Sequence, residues 1–235
     1  MKRKMNIGII GTGNIGAVLT RHFTRLEHEA VVANSRGPET LADLAKETGA
    51  KPVSVAEVPP GCDLVVVTIP EGKIQNLPRG LFKNAPAKLI VIDTGNYYPR
   101  HRDGNIEGIE NGLLESRWVE QQLGHPVIKV FNNIYADHLA KRGEPPGAPG
   151  RIALPVSGDD AKAKEVVMKL VNDIGFDPVD AGGLDESWRQ QPGTPVYTAD
   201  FDAAGVRRAL AQATPERKPE WCATSKSPGT FESPA

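Results

Sequence analysis

A glycine run near the start of the chain limits its fold more than any other feature. Gly11, Gly13 and Gly16 stand in the spacing G-x-G-x-x-G, directly behind the apolar run Ile7-Gly8-Ile9-Ile10 and directly ahead of a segment of helical periodicity from Asn14 to Leu26. Glycines so spaced let backbone N–H groups come close to a diphosphate at the positive end of a helix, where a side chain would block the approach. The spacing alone arises by chance in many loops; a strand before it and a helix after it make it specific. A phosphate-binding turn made of Gly11, Thr12, Gly13, Asn14, Ile15 and Gly16 is therefore expected.

The rest of the first two thirds agrees with that start. Short Val/Ile-rich runs at Asn6–Ile10, Ala30–Asn34, Leu64–Ile69, Leu89–Ile92 and Val127–Phe131 alternate with helical segments at Pro38–Thr48 and Gly112–Gln122. The runs are apolar throughout rather than alternating, as in strands covered by helices on both faces. This predicts an α/β fold with a doubly wound, mostly parallel sheet of the Rossmann type. A strand near Arg151–Val156, a helix near Asp160–Ile174 and a strand near Pro178–Asp180 read as an extension of the same sheet. Residues 1–184 form the expected nucleotide-binding domain with its strand-helix-strand extension, and residues 185–235 an irregular C-terminal segment and tail, extended beyond Ala211. The Pro/Gly-dense stretch 142–150 reads as a long surface loop, either a lid or an inert insertion.

The end of the second strand carries the next signal. A site for the unphosphorylated dinucleotide places an acid there to accept hydrogen bonds from the ribose hydroxyls. This chain has Asn34-Ser35-Arg36 instead, a hydroxyl and a guanidinium without a carboxylate, which suits an extra 2′-phosphate. NADP(H) is the expected cofactor. Two more stretches fall at the carboxyl ends of strands, where open α/β sheets collect ligands: Thr68-Ile69-Pro70 and Asp93-Thr94-Gly95-Asn96.

Together with Lys129-Val130-Phe131-Asn132-Asn133-Ile134, Val156-Ser157-Gly158-Asp159-Asp160 and Asp180-Ala181-Gly182, these motifs resemble the coenzyme F-420-dependent NADP oxidoreductase family from about Met5 to Leu184. The same module is similar to the cytoplasmic domain of membrane ferric reductases. The resemblance implies hydride transfer between NADP(H) and a flavin, a deazaflavin or a comparable small redox acceptor. It implies that Thr12, Asn14, Ser35 and Arg36 hold the nucleotide, and that Ile69, Pro70, Asn96 and Asn132 line the nicotinamide and acceptor cleft. Related hydroxyacid and imine reductases add a long helical domain with a catalytic lysine or acid; 235 residues leave little room for one, which favours an aromatic acceptor.

No catalytic residue is identified. Asn96 and Asn132 are candidates for positioning, since hydride transfer between two rings asks mainly for alignment. His125 falls at the amino edge of its strand, His138 falls on the site's side, and Trp188 and Tyr197 are aromatic candidates for the pocket wall. The five histidines and two cysteines, Cys62 and Cys222, show no metal-ligand spacing, so no metal is expected. With 28 basic against 29 acidic residues the chain has no field that would draw nucleic acid, and no apolar run approaches the roughly 20 residues a membrane helix needs. A cytoplasmic homodimer is expected. The alternative is a non-catalytic NADP(H)-binding sensor or scaffold protein.

Overall fold

A computed structural model describes residues 4–216, and the expected tail from 217 onward, with Cys222, lies outside them. The first core strand, β1 (Asn6–Ile10), leads through the glycine turn into α1 (Asn14–Arg25) and on to β2 (Glu29–Ala33). A short turn at Pro38–Leu41 opens α2 (Ala42–Thr48), so the single helix expected over Pro38–Thr48 is two pieces. Next come β3 (Lys51–Pro52), β4 (Leu64–Val67), β5 (Ile90–Asp93), α3 (Glu107–Glu110), α4 (Glu115–Leu123), β6 (Ile128–Lys129) and α5 (Ala136–Lys141). The six strands form one sheet in the order β3-β2-β1-β4-β5-β6, and every neighbouring pair is parallel.

Strand alternation sorts the apolar side chains into two cores. Ile7, Ile9, Leu64, Val66 and Ile92 face one layer with Leu19 and Phe23 of α1. Ile10, Val65, Val67 and Val91 face the other with Trp118 and Val119 of α4. Both faces are covered, which explains runs without polar alternation. The strand order reverses between β1 and β4, and the crevice at the carboxyl ends of those strands is where such sheets bind ligands.

The second unit consists of β7 (Ala153–Val156), α6 (Ala161–Asp173) and β8 (Asp177–Asp180). It does not extend the parallel sheet as expected: β7 and β8 pair in a separate two-stranded parallel sheet. That sheet meets β6 through one antiparallel bridge, in which Lys129 and Ser157 exchange backbone hydrogen bonds of 2.8 and 3.1 Å. The reason lies just past β6, where Phe131 has φ of 66° and turns the chain out of strand geometry.

Residues 185–235 were expected to be irregular, yet α7 (Ala203–Gln212) is a regular helix. Asp202 caps it by accepting from the Gly205 N–H at 2.7 Å, and Val206, Ala209 and Leu210 pack on Ala153 and Val179. The window is free of proline and rich in Ala, Arg, Leu and Gln, a local signal hidden by the proline- and serine-rich composition of the residues C-terminal to it. Among the described residues no helix is long and apolar enough to cross a membrane.

Candidate functional site

Steric limits shape the glycine turn. Gly11 has φ of 102°, and a Cβ there would lie 2.3 Å from the Thr68 carbonyl oxygen. A Cβ on Gly16 would lie 1.9 Å from the Gly11 carbonyl oxygen, so α1 can pack this close to β1 only with hydrogen at that position. Gly13 faces open space, with nothing within 4 Å of where its Cβ would be. It is the N-cap of α1, no side chain caps the helix, and no acid occupies the first turn. The first N–H groups of a 12-residue helix therefore face a space that no side chain enters. The donors and the room fit a diphosphate.

The turn after β2 is pre-shaped by its own side chains. Asn34 accepts from the Arg36 N–H at 2.9 Å and donates to Thr40 at 2.9 Å, while Thr40 donates to the Gly37 carbonyl at 2.8 Å. Asn34 thus builds the turn, leaving Ser35 and Arg36 exposed beyond it. Glu39 folds over Gly37, its carboxylate 2.3 to 2.5 Å from where a Cβ on that glycine would sit.

A cleft of about 360 Å³ runs along the carboxyl edge. Its near end is Gly13, Asn14 and Ile15; its floor is Thr68, Ile69, Pro70, Thr94, Gly95 and Asn96; its far wall includes Phe131, Asn132, Ile134, Tyr135, Tyr197 and Thr198. Most of the residues expected at the site converge here. The two asparagines are largely engaged with each other. Asn96 donates to the Asn132 carbonyl at 2.8 Å, and Asn132 donates to the Asn96 side chain at 3.0 Å and to the Gln190 carbonyl at 2.8 Å. Gln190 in turn donates to the Asn132 oxygen at 2.9 Å. Both amide hydrogens of Asn132 are used, so Asn132 is wall; Asn96 keeps one hydrogen and one lone pair for a ligand.

Asp93 is not a cleft residue. It is buried behind the floor, where it accepts from Ser116 at 2.9 Å, from the Gly95 N–H at 2.7 Å and from Lys129 at 2.9 Å. Lys129 also donates to the Gly95 carbonyl at 2.6 Å and lies 4.0 Å from Glu71. Glu115 of α4 joins this group and accepts from the Tyr97 N–H at 3.2 Å. Burial pulls Lys129 down, but Asp93, Glu71 and Glu115 outweigh it and the net shift is upward. Burial, reinforced by Glu115, pushes Glu71 well above the usual carboxyl range despite the pull of Lys129. A lysine inside the apolar strand run Val127–Phe131 was the available sequence signal, since a charge in a buried strand needs a partner.

Tyr98, Tyr135 and Arg102 line the cleft without having been expected there, beside Tyr197, which was. Tyr98 and Tyr197 share a short hydroxyl contact in the cleft wall, and burial pushes both phenols upward, so they stay protonated. The Arg102 guanidinium stacks 4.8 Å from the centre of the Tyr98 ring, donates to the Asn96 carbonyl at 2.5 Å and pairs with Asp103. Non-glycine residues with positive φ gather around this wall, at Phe131, Thr198 and Asp200 (66°, 55° and 51°). Tyr197 reaches the cleft; Trp188 does not, and instead carries Arg189 4.4 Å from its ring. His138 pairs with Asp200 at 2.6 Å behind the wall, and His125 packs on Phe82 away from it. Loop 142–150 contributes nothing to the lining: Glu144 bonds to the Gly175 carbonyl, and buried Arg151 ties the loop to Asn172 and Asp177. Among the described residues no cluster of His, Cys, Asp or Glu is fit to hold a metal.

Sheet order, glycine turn and edge cleft define the class: a Rossmann-type module of the NAD(P)-dependent oxidoreductases. Within it, residues 6–97 match the family described as NADP oxidoreductase, coenzyme F420-dependent, in agreement with the resemblance read from the motifs. Among solved structures the chain is similar to the protein SMa0349 of Sinorhizobium meliloti, at 28% identity and a TM-score of 0.70, covering 85% of this chain and 95% of that one. It shares its fold with an Arthrobacter sp. FB24 protein named as a candidate F420-dependent NADP-reductase, at 23% identity and a TM-score of 0.65, covering 78% and 87%. The curated protein YjhV of Escherichia coli (strain K12) is 54% identical over 66 residues, 28% of this chain, and the match spans 48% of YjhV, about half its length.

Proposed function

We propose that the chain is an NADP(H)-dependent oxidoreductase that moves hydride between the nucleotide and a flavin, deazaflavin or comparable small redox acceptor. One observation carries this reading: a single cleft joins the uncapped amino end of α1 to a tyrosine-lined far wall. A bound nicotinamide nucleotide would supply the hydride carrier, and this chain's residues would do the holding. The N–H groups at Gly13–Ile15 take the diphosphate, and Ser35 and Arg36 flank the ribose phosphate. Ile69 and Pro70 pack one face of the nicotinamide site, and Asn96 offers its remaining amide hydrogen to the ring's carboxamide. Tyr98, Tyr135 and Tyr197 give a flat acceptor aromatic surface, which suits transfer governed by alignment and exclusion of water.

Fluorescence titration tests the nucleotide half. NADPH should bind at least about tenfold more tightly than NADH, and Arg36→Ala should remove most of that difference. Because Glu39 shares the turn with Arg36, equal affinities in the wild-type protein would sink the NADP assignment. Loss of NADPH absorbance with an added flavin or deazaflavin tests turnover; tight binding without turnover across an acceptor panel would favour the sensor. A cytoplasmic homodimer belongs to the same proposal, and cell fractionation with sedimentation velocity checks both parts.

A further inference from the structure

Glu71 stands among other carboxylates behind the cleft floor. Glu71 is fully buried, and neither of its carboxyl oxygens has a hydrogen-bond partner. The charged groups facing it are Asp93 at the end of β5, Lys129 in β6, Glu115 in α4 and Asp103 in the turn Pro99–Asp103, the last paired with Arg102. Lys129 is a buried cation facing Asp93, Glu71 and Glu115. Ionising Glu71 adds a negative charge beside Glu115, Asp93 and Asp103. Such a buried charge is unfavourable unless a positive charge stands nearby.

Only the backbone of Gly95 separates this group from the cleft. Asp93 accepts from its N–H, Lys129 donates to its carbonyl, and a Cβ on Gly95 would lie 3.0 Å from both Glu71 and Asp93 carboxylate oxygens. Gly95 itself lines the cleft between Pro70 and Asn96. On the proposed function, the nicotinamide ring lies over that floor, carrying a positive charge when oxidised and none when reduced.

We infer that Glu71 sets selectivity between the two redox forms: its carboxyl, protonated in the free protein, releases its proton to solvent when the oxidised nucleotide binds and keeps it when the reduced one binds. No bond to the nucleotide forms or breaks. The ring's positive charge takes the place of the lost proton in balancing the carboxylates. Preference for the oxidised form then rises with pH, by up to about tenfold per unit for one linked proton. This inference rests on the proposed nucleotide site.

Calorimetric titration of the full chain with NADP+ and with NADPH, each in two buffers of different ionisation enthalpy at one neutral pH, counts the protons released. The 2′-phosphate is common to both nucleotides, so its own ionisation cancels. A larger release with NADP+ is expected from the wild-type protein, and equal release for both nucleotides from Glu71→Gln. Binding of both forms with equal release in the wild type, or an unchanged difference in the variant, overturns the role of Glu71 and leaves the nucleotide site standing. Failure of either form to bind overturns the site as well. Should the variant not fold, infrared difference spectra of the wild-type protein give the same answer: a protonated-carboxyl band lost with NADP+ and kept with NADPH is expected, and no such difference refutes it.

Discussion

Tyr135 is 55% exposed at the cleft rim, with its ring edge-on to His138 at 5.3 Å. A large exposed aromatic at the mouth of a pocket has surface to offer a flat partner. Tyr135→Ala should therefore raise the KM for a flavin-type acceptor about three- to tenfold and leave the NADPH Kd unchanged. Steady-state kinetics beside a binding titration separates the two, and an unchanged acceptor KM would remove this ring from the acceptor site. Gly11 and Gly16 were legible at this scale because the turn leaves no room for a side chain there. Tyr98, Tyr135 and Arg102 were not, because nothing in their spacing says that a loop after β5 and a loop after β6 meet. Asn132 was legible as a residue of the cleft edge, but its saturation by Asn96 and Gln190 depends on Gln190, 58 positions away.

Among the elements, the β1–turn–α1 unit is the least tolerant. Gly16→Ala puts a methyl group 1.9 Å from a backbone oxygen rather than a movable side chain, so α1 must shift off the turn. A loss of about 1–3 kcal/mol in stability and of detectable nucleotide binding is expected, read by denaturant unfolding and fluorescence titration. Wild-type binding in a folded Gly16→Ala protein would show that the turn does not grip the ligand. Five strands of the main sheet were readable from apolar runs, whereas β3, two residues long and containing a proline, was not. The separate β7–β8 sheet was not readable, because it depends on a backbone reversal at Phe131 that an aromatic residue does not announce. Helix α7 was hidden for a different reason, since its capped, helix-forming window of 10 residues is followed by a proline- and serine-rich stretch.

For the molecule as a whole, the buried carboxyl implies a definite acid–base behaviour. Glu71 titrates near its ordinary value of about 4.3 when unfolded, and burial raises it in the native state. Below the unfolded value both states are protonated and Glu71 contributes no pH dependence. As pH rises through that value the unfolded chain releases the proton and the native one keeps it, so stability falls until the native value is reached. Lys129, whose native value is raised, keeps its stabilising charge through this range and loses it only in strong alkali. Thermal melts from about pH 4 to about pH 8 should show wild type losing several degrees relative to Glu71→Gln as pH climbs. Parallel curves would mean that Glu71 is ionised in the native protein.

The family match stops at Tyr97, one residue short of the first tyrosine of the cleft wall. The glycine turn therefore lies within the matched stretch with β1 to β5, whereas Tyr98, Tyr135 and Tyr197 come from later loops, joined to that frame by the Lys129–Ser157 bridge, an amide cluster and a shared apolar core. On the proposed function, such an architecture would let one redox partner be exchanged for another by redrawing those loops, while the handle for the common fuel stays as it was.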